Sequence, residues 1–414
     1  MKNTETRVAD DCVSPDLLSV EQAIAKLLSQ TEAVTEFDNV HILKALNRVL
    51  AEDVTSAIDV PGYDNSAMDG YAVRSEDCAS AGSELVVSQR IAAGHVGDDL
   101  APVTAARIFT GAAIPAGADA VVMQEKCQAL DDKVVINTVV TAGSNIRGAG
   151  EDIAVNSTVL STGVKLRPQE LGLLASVGLA EVKVRRRLKV AVFFTGDEIV
   201  SPGQPLQPGQ IYNSNRYTLT GLLQSMECEI VDLGIVPDTL AATKDVLKQA
   251  AKSADLVITS GGVSVGEEDY VRIALQELGE LTMWRIAMKP GKPVAFGRVG
   301  EALFMGLPGN PVSVFVTFLL FARVLILKMQ GVQDCTTKNV FVTADFDWPS
   351  VQRQEYLRVR LVDKADSQVA ELYPHQGSGV LSSASWADGL VEVKIGKPVH
   401  KGDVVPYIPF TGVL

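Results

Sequence analysis

The chain has 414 residues, of which 47% are hydrophobic and 21% are charged, a composition typical of a globular protein with roughly two to four domains. Its 50 Asp and Glu residues outnumber its 37 Lys and Arg residues, giving a formal net charge of −13, and this acidic balance argues against a nucleic-acid backbone or an anionic membrane as the main partner. The five cysteines are widely spaced and form no C-x-x-C pair, which argues against a disulfide framework or a zinc cluster and fits a reducing, cytoplasmic compartment.

The N-terminal segment predicts one helix followed by a polar loop. Residues 1–16 have no apolar core, so we expect neither a signal peptide nor ordered structure there. Ser19 and Gln22 match a capping box in front of apolar residues at helical spacing, which predicts a helix start. The loop at 61–73, PGYDNSAMDGYAV, mixes aspartates and glycines with large apolar residues. This composition fits either a plain turn or a functional loop that packs onto another surface.

A mostly-β module is predicted next. Short apolar runs separated by turns recur through 75–150, a pattern typical of short strands. Polar linker segments lie at both ends of this region, so we expect the module to be inserted into the N-terminal domain. The predicted domains are 17–60 with 150–185 (N-terminal, discontinuous), 61–149 (inserted, mostly β), 186–331 (α/β) and 332–414 (C-terminal β).

From residue 188 the pattern changes to strands that alternate with helices, which predicts a parallel, doubly wound sheet. The apolar run at 312–327 is short for a bilayer span and carries Arg323, so a buried helix is favoured over a membrane span. After Gly331 the pattern becomes β again and predicts a small barrel or sandwich. The predicted strands of the α/β region are 188–194, 229–233, 255–259 and 302–307.

An acidic or Gly-rich loop follows each strand of the α/β region. In parallel sheets, ligands bind beyond the carboxyl ends of the strands, so we expect these loops to face one crevice. Carboxylates there would hold a hard cation, and Lys289 and Lys292 would neutralise phosphate. A helix that begins with Asn310 as N-cap and Pro311 at its first position offers N–H groups to an anion. The sequence therefore predicts an oxyanion and Mg²⁺ site; the residues that follow the strands are Glu198, Asp238, Asp269 and Asn310.

One motif points to a different chemistry. Gly262, Ser264 and Gly266 fit G-x-S-x-G, the nucleophile elbow of α/β hydrolases. The predicted strand ends too early for an elbow, and the only downstream histidines lie in the β tail. A serine hydrolase using Ser264 therefore stays a disfavoured alternative. The chain has no G-x-x-x-x-G-K-[ST] motif and no G-x-G-x-x-G after a strand, which argues against a P-loop ATPase and a dinucleotide dehydrogenase.

A series of motifs nevertheless occurs in an order typical of one family. They are DNSAMDGYAV, RIFTGAAIPAGADAVV, NIRGAGEDI, FFTGDEI, SGGVSVGEEDY, KPGKPVAFG, GLPGNPVS and HQGSG. Over these motifs the chain closely resembles the molybdopterin molybdenumtransferases, which include the MoeA proteins of bacteria and the gephyrin E domain of animals. The resemblance extends from about residue 17 to the C-terminal region.

The resemblance implies an N-terminal domain interrupted by a β insertion, a central parallel molybdopterin-binding α/β domain, a C-terminal β domain and an elongated homodimer. It implies a Mg²⁺-dependent reaction that joins molybdate to adenylylated molybdopterin and releases AMP. It also implies an adenylyltransferase that delivers the substrate, and molybdoenzymes or their chaperones that receive the product. A non-catalytic carrier or scaffold that uses the same pocket is the second reading, since the gephyrin branch clusters receptors.

The resemblance also implies roles for individual residues. Glu198 and Asp269 would hold the Mg²⁺, with Asp238 close by. Arg285 departs from the lysine expected in bacterial relatives, and its planar guanidinium differs in shape from the lysine ammonium that would contact a small oxyanion. The positions needed for activity, which are expected to reach the crevice across the dimer, are matched by Asp64, Thr110 and Asp152. Molybdate would be held by Lys289, Ser313, Arg358 and Ser378. The nucleotide and pterin phosphates would be held by Pro308, Gly309, Asn310, Pro311 and the loop with Gly261, Gly262, Ser264 and Gly266.

Overall fold

The computed structural model describes residues 17–262, 269–364 and 367–413. These residues divide into two compact units, each described separately. Unit 1 comprises the described residues within Met1–Asp38, Asn47–Val49 and Arg185–Leu414, and unit 2 comprises Asn39–Leu46 and Leu50–Val184.

The first helix of unit 1, α1 (Val20–Ser29), begins where the capping box predicts. The Ser19 hydroxyl accepts a hydrogen bond from the Gln22 backbone N–H at 3.1 Å, and the Ser19 N–H donates to the Gln22 side chain at 2.9 Å. These two bonds satisfy backbone donors that a helix start leaves without an intrahelical partner. The helix buries Ala23 and Leu27 in the core of unit 1.

Strand β1 (Phe37–His41) comes next in the chain, and unit 2 is built around a mixed sheet. Strand β5 runs parallel to β6, and the other pairings are antiparallel, in the order β7-β4-β6-β5-β9-β8. Strand β2 pairs with β11, and β3 with β10, so the segments that flank the sheet lie side by side. The elements that follow β1 are β2 (Val54–Thr55), β3 (Asn65–Ser66), β4 (Gly70–Val73), β5 (Ser83–Ile91), β6 (Thr104–Ile108), β7 (Ala120–Met123), β8 (Cys127–Ala129), β9 (Lys133–Ile136), β10 (Ile146–Arg147), β11 (Thr158–Leu160), α2 (Pro168–Ser176) and β12 (Glu181–Arg185).

The α/β part of unit 1 contains the elements β13 (Lys189–Thr195), β14 (Ile199–Val200), β15 (Ile211–Tyr212), α3 (Ser214–Ser225), β16 (Glu229–Val236), α4 (Leu240–Ser253), β17 (Leu256–Ser260), α5 (Tyr270–Leu278), β18 (Gly279–Arg285), β19 (Met288–Lys289), β20 (Pro293–Val299), β21 (Ala302–Leu307), α6 (Pro311–Thr317), a π-helical turn (Phe318–Ala322) and α7 (Arg323–Met329). Its sheet has the order β16-β13-β17-β21-β20-β18. Strands β16, β13, β17 and β21 are parallel, as predicted.

Both faces of this sheet are buried, which confirms the doubly wound prediction. Along β13, Val190, Val192 and Phe194 pack with α3, α6 and α7, whereas Ala191 and Phe193 pack with α4 and α5. Helices on both faces explain why the parallel strands are continuous apolar runs. The two strands at one edge, β20 and β18, are antiparallel to their neighbours. Only residues 300–301 join β20 to β21, and a parallel connection needs a crossover of a dozen or more residues.

The helical segment Pro311–Met329 is long and apolar enough to span a membrane by length and composition, but 89% of its most apolar window is buried inside the protein. It lies against the sheet and contributes Val312, Phe315 and Leu319 to the largest core cluster. The prediction of a buried helix agrees with this packing.

The C-terminal strands close into a barrel, which resolves the predicted choice between barrel and sandwich. Its elements are β22 (Val340–Ala344), β23 (Gln354–Lys364), β24 (Ser367–Leu372), α8 (Leu381–Trp386), β25 (Gly389–Val393) and β26 (Val404–Pro409). The order β23-β24-β22-β26-β25 returns to β23, so the ring has no open edge there. Strand β19 of the α/β part adds to β23 in parallel and aligns Lys289 with Glu355.

Candidate functional site

The parallel strands end along one edge of the sheet, as the sequence predicts. Phe194 aligns with Ser260 across β13 and β17, and Ser260 aligns with Leu307 across β17 and β21. Thr195 aligns with Val236 of β16 in the same way. The loops that begin after these residues therefore start side by side, and they are the loops that carry Asp238, Glu198, Asp269 and Asn310.

Two glycines let the strand tips approach one another closely. The Gly261 N–H donates to the Leu307 carbonyl at 3.2 Å. Gly262 has φ of +66°, and a Cβ on it would lie 2.6 Å from Cγ2 of Val271 and 3.1 Å from Oγ1 of Thr195. A larger residue would push these loops apart, so the close approach explains the glycine at 262.

Asn215, which the sequence analysis did not single out, links two of these strand ends. Its Nδ2 donates to Oγ of Ser260 at 2.8 Å and to the Gly309 carbonyl at 2.7 Å. The neighbouring Asn213 caps α3 by accepting from the Arg216 N–H at 3.1 Å. The run Asn-Ser-Asn is therefore more than a helix start, because its second asparagine fixes the turn at Gly309.

A crevice of about 520 Å³ opens beside these strand ends in unit 1, within the size range of ligand sites. None of the described residues that line it is acidic, and three of them, Lys289, Lys292 and Arg353, are cationic. Positive charge with amide and hydroxyl groups is the chemistry that binds oxyanions. The lining residues are Gly261, Gly262, Lys289, Pro290, Gly291, Lys292, Pro293, Pro308, Gly309, Asn310, Ser313, Arg353, Gln376 and Ser378.

The start of α6 forms part of the crevice wall, with one difference from the prediction. Asn310 is the N-cap by backbone geometry, but its exposed side chain makes no capping bond. The Val312 N–H donates to the Ser378 carbonyl at 2.9 Å, so the loop at 374–379 occupies one donor of the first turn. The predicted helix terminus is therefore only partly open to a ligand, and side chains share the task of binding.

Lys289 projects from β19 beside a buried carboxylate. Its Nζ lies 3.2 Å from Oε1 of Glu355, and Oε2 of Glu355 accepts from the Trp348 indole N–H at 2.9 Å. Glu355 is 8% exposed, whereas the Lys289 side chain is half exposed. Glu355 thus holds a crevice lysine through an ion pair. This role becomes visible only from the pairing of β19 with β23, which aligns the two residues.

Arg358 lies behind the crevice wall and not in it, which differs from the predicted direct contact with molybdate. It is 1% exposed, and its guanidinium donates to Oγ of Ser383 at 3.0 Å and to the Gly377 carbonyl at 3.1 Å. Burial lowers the pKa of Arg358 to about 10, while the Glu355 charge acts in the opposite direction. The side chain is therefore cationic at neutral pH and supports the loop that carries Gln376 and Ser378.

The predicted metal ligands Glu198 and Asp269 follow the neighbouring strands β13 and β17 in the chain, but neither is among the described residues that line the crevice, which differs from the prediction that their loops face it. Asp269 is 5% exposed and caps α5, with Oδ1 accepting from the Arg272 N–H at 3.0 Å, and Glu198 is exposed. Within 17–262, 269–364 and 367–413, no group of three or more His, Cys, Asp or Glu side chains is arranged to hold a metal. Mg²⁺ is commonly bound by one or two carboxylates together with substrate phosphates, so the donor chemistry of Glu198 and Asp269 suits the ion. Ser264 and Gly266 lie outside the described residues.

The three predicted residues of unit 2 lie on loops that are joined by hydrogen bonds. Oδ1 of Asp64 accepts from the Ala149 N–H at 2.8 Å, and the Asp152 N–H donates to the Val60 carbonyl at 3.0 Å. The backbone N–H and the hydroxyl of Thr110 both donate to Oδ1 of Asp69 at 2.8 Å, which lowers the pKa of Asp69. Asp69 is a further residue that the sequence analysis did not select.

Arg285 lies at the end of β18 and is exposed. Its carbonyl accepts from the Leu18 N–H at 3.0 Å, and it is not among the residues that line the crevice.

A doubly wound α/β domain with a cationic crevice at its strand ends is typical of domains that bind an anionic ligand there. Family models for the MoeA N-terminal region (domain I and II), a probable molybdopterin binding domain and the MoeA C-terminal region (domain IV) match residues 18–178, 191–328 and 342–410. The molybdopterin molybdenumtransferase of Haemophilus influenzae is 46% identical over 316 residues, covering 76% of this chain and 78% of that protein. Molybdopterin molybdenumtransferase 2 of Mycobacterium tuberculosis is 37% identical over 386 residues, covering 90% and 94%.

The crystal structure of a molybdopterin biosynthesis MoeA protein from Pyrococcus horikoshii has a TM-score of 0.82 and 30% identity, and covers 95% of this chain and all of that one. The chain belongs to the molybdopterin molybdenumtransferase family. It is a transferase of molybdenum cofactor biosynthesis.

Proposed function

We propose that the chain inserts molybdate into adenylylated molybdopterin, with release of AMP and with Mg²⁺ held by Glu198 and Asp269. The observation that carries the proposal is the crevice, whose described lining includes three cations and no acid. Acidic loops begin at the adjoining strand ends. A tetrahedral dianion would bind at the cationic lining, and the carboxylates of the acidic loops would hold a cation that neutralises the pyrophosphate of the substrate.

Within this proposal, the chain's own residues bind and orient the substrates. Lys289, Ser313 and Ser378 line the crevice and hold molybdate through charge-assisted and hydroxyl hydrogen bonds. Arg358 acts indirectly, because its hydrogen bond to the Gly377 carbonyl fixes the loop that carries Ser378. Mg²⁺, when bound, supplies positive charge to the phosphate oxygens as the P–O bond breaks. The turn at 308–311 and the glycines at 261 and 262 position the phosphates.

The proposal includes a second copy of the chain. Asp64, Thr110 and Asp152 lie in unit 2, and they match positions needed for activity, so we propose a homodimer in which they reach the crevice of the partner subunit. We also propose a cytoplasmic location, which the widely spaced cysteines support. We further propose that a molybdopterin adenylyltransferase supplies the substrate and that molybdoenzymes or their chaperones receive the product.

The deciding experiment incubates the protein with adenylylated molybdopterin, molybdate and Mg²⁺ and measures AMP. Release that depends on both molybdate and Mg²⁺ is expected, and no release would refute the proposal. A carrier or scaffold would retain its cellular function when Glu198→Ala and Asp269→Ala are combined, whereas the transferase would lose molybdoenzyme activity. A hydrolase would be labelled at Ser264 by a serine-directed phosphonate.

Glu355→Gln is expected to tighten molybdate binding about fivefold. The substitution removes a buried negative charge beside Lys289, and a unit charge about 4 Å away is worth about 1 kcal/mol in bulk water and more near a protein surface. The amide oxygen can still accept from the Trp348 indole. Titration calorimetry with molybdate measures the effect. Glu371→Gln is the control, because Glu371 forms an exposed ion pair with Arg360 on the barrel. Weaker binding would contradict the prediction and show that Lys289 needs Glu355 for its orientation.

A further inference from the structure

Two arginines lie opposite each other on neighbouring strands of unit 2. Arg90 of β5 is aligned with Arg107 of β6 in a parallel pairing, so their side chains share one face of the sheet. Like charges at directly opposed positions repel and destabilise a sheet. A cation pair at this position therefore needs another interaction that offsets the repulsion.

Part of that interaction comes from aromatic rings. The guanidinium carbons of Arg90 and Arg107 lie 4.4 Å and 4.7 Å from the centre of the Phe109 ring, and that of Arg107 lies 5.2 Å from the centre of Tyr71. Each contact is within the range of a cation–π interaction. The shared Phe109 ring holds both guanidinium groups at one place on the sheet face.

The two arginines differ in how their donors are used. Arg107 donates to the Gly70 carbonyl and to Oε1 of Gln124, both at 2.7 Å, so its orientation is fixed. Arg90 is exposed and forms neither a hydrogen bond nor an ion pair with any residue that the structure describes. One guanidinium is thus built into the sheet, and the other presents its N–H donors to solvent.

One acidic group, Asp69, lies near Arg107 but is already engaged in hydrogen bonds. Oδ1 of Asp69 accepts hydrogen bonds from both the backbone N–H and the hydroxyl of Thr110. These bonds lower the pKa of Asp69, and the charge of Arg107 contributes to the same lowering. The carboxylate near Arg107 is therefore engaged by Thr110, and Arg90 has no ion-pair partner among the described residues. Thr110 follows directly after Phe109 in the chain, so the cation pair and the threonine are neighbours.

We propose that Arg90 and Arg107, held by Phe109, form a binding subsite for a tetrahedral oxyanion beside Thr110. Guanidinium groups present planar donors that match phosphate-type oxygens. The anion would neutralise the cross-strand pair. The bound anion is either a phosphoryl group of a nucleotide-like ligand or a free tetrahedral oxyanion, because both present the same kind of oxygens to the guanidinium groups. The subsite goes beyond the proposed function, which uses Thr110 but neither arginine.

Anion titration in a background that weakens the crevice tests the subsite. In full-length protein carrying Lys289→Gln, inorganic pyrophosphate should still bind, and adding Arg90→Gln should weaken that binding at least about tenfold, the loss expected for a charge-assisted contact. Adding Lys133→Gln is the matched control, because Lys133 is an exposed cation of the same sheet that is paired with Glu84. The control should leave the affinity unchanged.

The proposal is overturned if Arg90→Gln and Lys133→Gln give the same affinity, or if the Lys289→Gln background binds no pyrophosphate. Arg90 is the first choice of variant because it is exposed and supports no backbone group. Parallel titrations with AMP and molybdate separate the two sources. An Arg90-dependent preference for AMP assigns a phosphoryl group, and an Arg90-dependent preference for molybdate assigns a free oxyanion.

Discussion

Asp269→Asn is expected to lower kcat for AMP release by about 10²- to 10³-fold, the order that the loss of one preorganised electrostatic group costs. Asp269 is 5% exposed and caps α5 through the Arg272 N–H. Asparagine has the same shape and is an equally good N-cap, so the helix start should survive. The substitution removes only the charge that would hold Mg²⁺. Steady-state AMP release over a Mg²⁺ series measures the effect, and the half-saturating Mg²⁺ concentration should rise together with the fall in kcat.

The control for Asp269→Asn is Glu277→Gln on the same helix. Glu277 pairs with Lys244 on the surface, so the variant removes one negative charge from α5 without touching the strand ends. It should leave kcat and the Mg²⁺ dependence unchanged. An Asp269→Asn enzyme with wild-type Mg²⁺ dependence would show that the carboxylate acts only as a helix cap and that the metal binds elsewhere.

The convergence of the strand ends was predictable from sequence because it depends on periodicity alone. Apolar runs that alternate with helical segments indicate parallel strands, and parallel strands bring their carboxyl ends to one edge. The antiparallel edge formed by β20 and β18 was not predicted. The signal for it was present, since the two residues between β20 and β21 are too few for a parallel crossover.

The back of the crevice could not be predicted in the same way. Glu355 reaches Lys289 because β19 adds to the barrel strand β23 in one particular register. The resemblance assigns Arg358 to molybdate binding, yet the structure buries it behind the loop at 374–379. A motif identifies a residue type at a position, whereas the direction of its side chain depends on pairing between distant segments.

Gly291→Ala is expected to lower the free energy of unfolding by about 3 kcal/mol and to weaken molybdate binding. Gly291 lines the crevice with φ of +109°, and such a backbone costs other residues about 1–3 kcal/mol. The new Cβ would also lie 2.4 Å from Cγ2 of the fully buried Thr317, and overpacking costs about 1–3 kcal/mol more. Thr317 lies one turn after Ser313, so the clash pushes on the crevice wall. Chemical denaturation and molybdate titration measure the two effects.

Two companion variants separate strain from clash in Gly291→Ala. Gly402 has φ of +96° and open space where its Cβ would lie, so Gly402→Ala should lose only the strain component, about 1 kcal/mol. Thr317→Ser removes Cγ2 but keeps the hydroxyl that donates to the Ser313 carbonyl at 2.6 Å. The double variant Gly291→Ala with Thr317→Ser should therefore be more stable than the sum of the single losses by about 1 kcal/mol, a coupling typical of residues in contact. Additive losses would mean that the clash is relieved in another way and that the backbone conformation alone requires glycine.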